Sequence, residues 1–155
     1  MSFISVAQTT TDTAAAISSH PFWPDITPDT VREAQRIDGT VTDARLVHAI
    51  ISAIASVNAD LRAFRQAQQD AGIEKLAEVE AETINNESVL VFSYRRAVYA
   101  TAHANLIERY RNFDSTAEGN KQADQLDVTA DDLYRDARFA IRDILGVTHV
   151  TVELI

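Results

Sequence analysis

Six apolar residues, Leu46, Ile50, Ile54, Val57, Leu61 and Phe64, follow one another at steps of four, four, three, four and three. That is the period of one face of an α-helix. Thr42 stands ahead of the run as an N-cap, and Val41 with Leu46 has the spacing of a hydrophobic staple. No glycine or proline intervenes before Gly72. The pattern therefore predicts one helix of about 29 residues, roughly 43 Å long. A one-sided stripe of that length is stable only when other helices cover it, which points to a bundle. The steps do not hold the strict heptad that a coiled-coil seam requires.

The remaining helices are marked by their ends. A first one starts at Thr27, with Pro28 in the first turn and Asp29 beside the positive end of the dipole; Val31, Ala34 and Ile37 share a face and Gly39 ends it. A third runs from about Glu87 to Asn112. Phe92, Tyr99, His103, Leu106 and Tyr110 fall on one face, and Ala97, Ala100, Ala102 and Ala104 keep the rest small enough for close neighbours, so this is the expected central packing helix. Arg95, Arg96, Arg109 and Arg111 on it are expected to pair with carboxylates. The last helix opens with Thr129 and Asp132 in a capping box, with Val128 and Leu133 as a staple. Leu133, Ala137, Ala140, Ile141 and Ile144 supply its apolar side, and Gly146 stops it. Residues 114–128 are polar and read as a loop.

Both ends differ from this helical middle. Residues 1–20 are rich in Thr, Ser and Ala without a sustained period, and read as a mobile arm. Pro21 and Pro24 then bracket Phe22 and Trp23 in an extended segment. Those two rings either strap the arm onto the core or anchor a neighbouring subunit, and so are interface candidates. Residues 147–155 alternate: Val150, Val152 and Leu154 point one way, His149, Thr151 and Glu153 the other. A strand without an evident partner in its own chain suits strand addition to another chain, which makes Val150, Val152 and Leu154 interface candidates too. The expected architecture is mainly α: a compact bundle of about four helices over residues 21–146, an N-terminal arm (1–20) and a C-terminal β-strand tail (147–155).

Composition narrows the chemistry. A chain of 155 residues is the size of one domain, and the absence of cysteine removes disulfides, thiol catalysis and cysteine-ligated zinc. Its four histidines, His20, His48, His103 and His149, do not fall at metal-motif spacing; His103, on an apolar face, reads as a hydrogen-bonded core residue. No phosphate-binding glycine loop and no nucleophile elbow is present. The expectation is a protein that is not an enzyme and takes no cofactor or metal. A net charge of −9 disfavours a nucleic-acid or anionic-membrane binder. The longest uncharged run, Leu46 to Ala59, is 14 residues, short of the roughly 20 that a spanning helix needs. The start of the chain does not read as a signal peptide, so a soluble protein made in a cytoplasm is expected. Between residues 73 and 87, Glu74, Glu78, Glu80, Glu82 and Glu87 face one cation, Lys75. This is either a solvated face or a surface that repels phosphate.

The order of the segments adds a resemblance. Phe22-Trp23-Pro24-Asp25-Ile26 precedes a helix, then TVTDARLVHAI (40–50) and Asn58-Ala59-Asp60-Leu61; ESVLVFSYRRAVYA (87–100), LIERYRNFD (106–114) and KQADQLDVTADDLYRDARFAIRDILG (121–146) follow. Over residues 21–155 this resembles the head completion (head stabilisation) protein L family of peduovirus-type temperate phages with contractile tails. The resemblance implies a virion structural protein at the head–tail junction, assembled in the bacterial host cytoplasm. It would dock on the portal ring after DNA packaging, stabilise the filled head and offer a platform to neck and tail completion proteins. Analogy with helical head–tail adaptors adds a ring of copies, dodecameric like the portal, with DNA passing through unbound. Glu74, Glu78, Glu80 and Glu82 are then the candidate channel lining. The alternative is an acidic helical module acting as a packaging accessory or regulator.

Overall fold

The computed structural model describes residues 14–111 and 128–147. The first thirteen residues, most of the expected loop at 114–128, and the tail candidates Val150, Val152 and Leu154 lie outside the described residues. The elements in order are α1 (Pro28–Ala34), α2 (Asp43–Asp60), α3 (Arg62–Asp70), a 3₁₀ turn (Leu76–Glu78), β1 (Thr83–Ile84), β2 (Glu87–Ser88), α4 (Val89–Arg111) and α5 (Ala130–Leu145). The class is mainly α, as the spacing predicts.

α4 is the central helix, packed on α2 along one side and on α5 along another. Val91, Tyr94, Ala97, Val98 and Ala102 enter the main core with Leu46, Ile50, Ile54 and Val57 of α2. Ala100 and Ala104 form a smaller cluster with Ala130, Leu133 and Ala137 of α5. Alanines on both helices allow that close approach. α5 runs antiparallel to α4: Tyr134, near its start, donates through its hydroxyl to Asn105 (2.9 Å) and Glu108 (2.8 Å), while Asp136 and Asp143 both pair with Arg96.

Four local expectations change. The long second helix is broken: α2 and α3 meet at a 60° bend. Leu61 sits between them, fully buried, and the bend brings Phe64 to Phe22, with ring centroids 6.4 Å apart. Beyond Leu61 the sequence is polar, so a straight continuation would carry little apolar surface, whereas the turn returns Phe64 to the core. α1 stops at Ala34 rather than Gly39. Arg36 takes a left-handed conformation (φ 52°), and the Ile37 amide reaches back to the Arg32 carbonyl (2.9 Å), closing the helix one turn early. The predicted packing face of α4 is rotated: Leu106 is buried and Tyr99 and His103 are half-buried, but Phe92 is 60% exposed. Arg95 and Arg96 share the Phe92–Tyr99 side and need water or carboxylates, so the opposite side, carrying Tyr94 and the alanines, goes inward. Finally, Val128 is exposed and does not staple α5, although the capping box forms as predicted: the Thr129 hydroxyl accepts from the Asp132 amide (3.1 Å) and Asp132 accepts from the Thr129 amide (3.4 Å).

The Asn85-Asn86 turn closes a small hairpin. Both residues have positive φ (52° and 62°), the geometry of a two-residue hairpin turn, and Thr83 pairs with Ser88 and Ile84 with Glu87. At the other end of the chain Gly146 is left-handed (φ 67°). Its amide bonds to Asp143 and that of Val147 to Arg142, the paired bonds of a Schellman cap.

Candidate docking surfaces

The aromatic segment is built into the chain's own core. Phe22 and Trp23 are 1% and 4% exposed. Trp23 lies flat on Tyr94, with centroids 4.7 Å apart and planes 4° from parallel, and Phe22 meets it edge-on at 4.7 Å. His20 organises the turn: its Nδ1 accepts from the Phe22 amide (3.1 Å) and its carbonyl from the Trp23 amide (2.9 Å). The Phe22 carbonyl then accepts from the Leu76 amide (2.9 Å), which ties the connector to the strap. Phe22 and Trp23 were interface candidates by sequence; their burial corrects that assignment to a core role, the first of the two alternatives.

The strap extends further upstream than residue 21. Ile17 and Ile26 exchange two backbone hydrogen bonds (2.7 and 2.9 Å), and the Ser19 hydroxyl accepts from the Asn58 side chain (3.3 Å). Ile17 and Ser19 of the expected arm are thereby fixed to Ile26 and to α2. Asn58 also accepts from the Tyr94 hydroxyl (2.7 Å). Burial pushes the Tyr94 phenol up to about 12, because its anion would be stranded in the core. Burial likewise lowers the His103 imidazole, which contacts Gln35 (3.0 Å) and behaves as the satisfied, half-buried residue the sequence suggests.

Glu74, Glu78, Glu80 and Glu82 are all exposed on the connector between α3 and the hairpin. Glu78 turns back to accept from the Glu74 amide (3.3 Å), and among the described residues none of the four is in an ion pair. Glu87, by contrast, pairs with Arg95, and Arg96 with Asp136 and Asp143, the carboxylate pairing expected for those arginines. Beside the connector a cleft of about 400 Å³ opens between the strap and the hairpin, walled by Trp23, Lys75, Asn86, Glu87 and Arg95.

Exposed apolar side chains were not legible as such in the sequence. Ile51 protrudes from α2, Ile84 from the hairpin, Phe92 from the first turn of α4, and Leu145 and Val147 from the end of α5. For Phe92 a signal was available: Arg95 and Arg96 follow it at helical spacing, which marks its side as the wet one. Among the described residues no three His, Asp or Glu side chains converge as a metal site, and no single helix is long and apolar enough to cross a membrane.

The geometry so far is that of a small helical protein with a buried aromatic strap, an exposed acidic connector and several exposed apolar side chains. The comparisons make the class specific: residues 17–155 match the model of the phage head completion protein (GPL) family, and the chain belongs to that family. It is 47% identical over 134 residues to the head completion/stabilization protein of Escherichia phage P2, covering 86% of this chain and 79% of that protein. It is 24% identical over 141 residues to the probable head completion/stabilization protein of Haemophilus phage HP1 (strain HP1c1), covering 90% and 91%. No solved structure matches. The chain is thus a structural head completion protein and a component of the virion.

Proposed function

We propose that this protein docks on the portal ring once the head is filled, locks the packaged DNA in place and presents a platform to the neck and tail completion proteins. Copies would sit side by side in a ring that follows the portal's dodecameric symmetry, closed by one repeated head-to-tail contact. The observation that carries the reading is the family match over residues 17–155, nearly the whole chain. The surface is compatible with it. A collar around passing DNA must not hold phosphate, and a chain of net charge −9 with Glu74, Glu78, Glu80 and Glu82 exposed on one connector repels it. These four side chains are the proposed channel lining. Residues 147–155 are the proposed docking strand toward the portal.

Reconstitution tests this reading. DNA-filled heads made without the protein should leak genome to added nuclease, and purified protein added back should restore protection. Protection that is complete without the protein, or that is not restored by it, contradicts the role.

A further inference from the structure

α5 sorts its charges. Leu133, Ala137, Ala140 and Ile144 are buried, and Asp136 and Asp143 on the flank turn to Arg96 of α4. Arg135, Arg138 and Arg142 are exposed at steps of three and four, in a row on the side away from α4. Arg135 pairs with Asp132 of its own helix (2.7 Å); among the described residues Arg138 and Arg142 are in no ion pair. Like charges one turn apart oppose the helix that carries them. Among the described residues no other helix presents three exposed cations in one row, in a chain whose net charge is −9.

A row of guanidinium groups fits carboxylates or phosphates. The net charge repels nucleic-acid phosphate, which favours carboxylates of a protein surface. That surface is not a second α5, where arginine would meet arginine. The contact therefore joins two different patches, the form that builds rings. The matching patch is on α1. Asp29 and Glu33 are exposed one turn apart, with Asp25 exposed just ahead of the helix, and among the described residues none of the three is in an ion pair. Asp29 and Glu33 are about 6 Å apart along their helix, the same spacing as Arg138 and Arg142. α1 packs on α2 whereas α5 packs on α4, and no ion pair joins the two rows within one copy.

We propose that the Arg135–Arg138–Arg142 row of one copy docks on Asp29 and Glu33 of the next, with Asp25 at the edge of the contact. This is the head-to-tail contact repeated around the ring. The inference rests on the ring proposed above and names the two surfaces that close it.

Two charge-reversed full-length proteins test it: Arg138→Glu with Arg142→Glu, and Asp29→Arg with Glu33→Arg. All four positions are exposed, and both proteins are checked for native helix content; the single reversals Arg138→Glu and Glu33→Arg serve if a double variant loses it. Either variant alone sets like charges against each other at every contact, and should form no ring on portal rings in native mass spectrometry. Mixed, each supplies the complement of the other, and the loaded ring should return with the two variants in equal number. A ring formed by either variant alone would overturn the contact. So would a mixture that stays unloaded while the parent loads, the result expected if the arginines meet the portal itself. A parent that does not load contradicts the docking reading instead. The contact is then read by sedimentation of the free proteins at millimolar concentration and low salt, where screening is weak. Parent and mixture should associate there and each variant alone stay monomeric; a monomeric parent would overturn the contact as well.

Discussion

The Tyr94 hydroxyl donates to Asn58 while its ring lies flat on Trp23, so one side chain joins α4, α2 and the N-terminal strap. Two predictions belong to this contact. Trp23→Ala removes a fully covered ring and should cost about 3–5 kcal/mol in urea unfolding. An unchanged unfolding midpoint with lost assembly would return Trp23 to an interface role. Tyr94→Phe keeps the ring and removes the hydroxyl, and should cost about 1 kcal/mol at neutral pH. It should also change the alkaline limb. The folded phenol titrates near 12 against the ordinary 10, so stability is intact below about pH 10 and falls as pH rises toward 12, where the unfolded chain has already lost the proton. Tyr134, also pushed up to about 12 by partial burial and by Glu108, acts in the same direction. The slope between pH 10 and 12 should therefore be reduced, but not abolished, in Tyr94→Phe; a slope equal to that of the parent would contradict the assignment.

At the scale of the element, what could be read from the sequence was what local chemistry decides. Thr129 with Asp132 and Gly146 after Ile144 both act within a turn of chain, and each sits where the spacing placed it. What could not be read was decided by distant packing. Leu61 and Arg62 hold no helix breaker, yet the helix bends there because Phe64 gains a place against Phe22. α4 carries apolar residues on more than one side, so the Phe92–Tyr99–Leu106 stripe competed with the side of Tyr94 and the alanines, although Arg95 and Arg96 mark the former as wet. Tyr94's fit against Trp23 and the alanine contacts with α5 selected one and left Phe92 outside. The Trp23 pocket is likewise made by residues more than fifty positions apart. The cap of α5 gives a direct check. Thr129→Ala should cost about 0.5–2 kcal/mol by removing the acceptor for the Asp132 amide, and thermal melts will show it. A neutral outcome would mean that α5 is held by its packing on α4 alone.

For the whole molecule, charge is the property that connects fold to assembly. The side chains of Glu74, Glu78, Glu80 and Glu82 are exposed, while Leu76 between them holds the connector to the core, so the four can be replaced by Lys without touching buried packing. That change brings the net charge close to zero and should raise affinity for duplex DNA in a salt-dependent manner, measured by mobility shift. Unchanged DNA binding would remove the connector from the channel. The family and the structural role were carried by the order of short blocks along the chain. The surface that meets a partner was not, because exposure depends on how the helices rotate.

The central claim, docking on the portal as a ring, is tested most directly by native mass spectrometry of the protein alone and mixed with portal rings of the same phage. The account predicts that the portal gains a fixed number of copies, equal to its own subunit count. Intact portal and folded protein that fail to associate, or that associate in no fixed number, would contradict it.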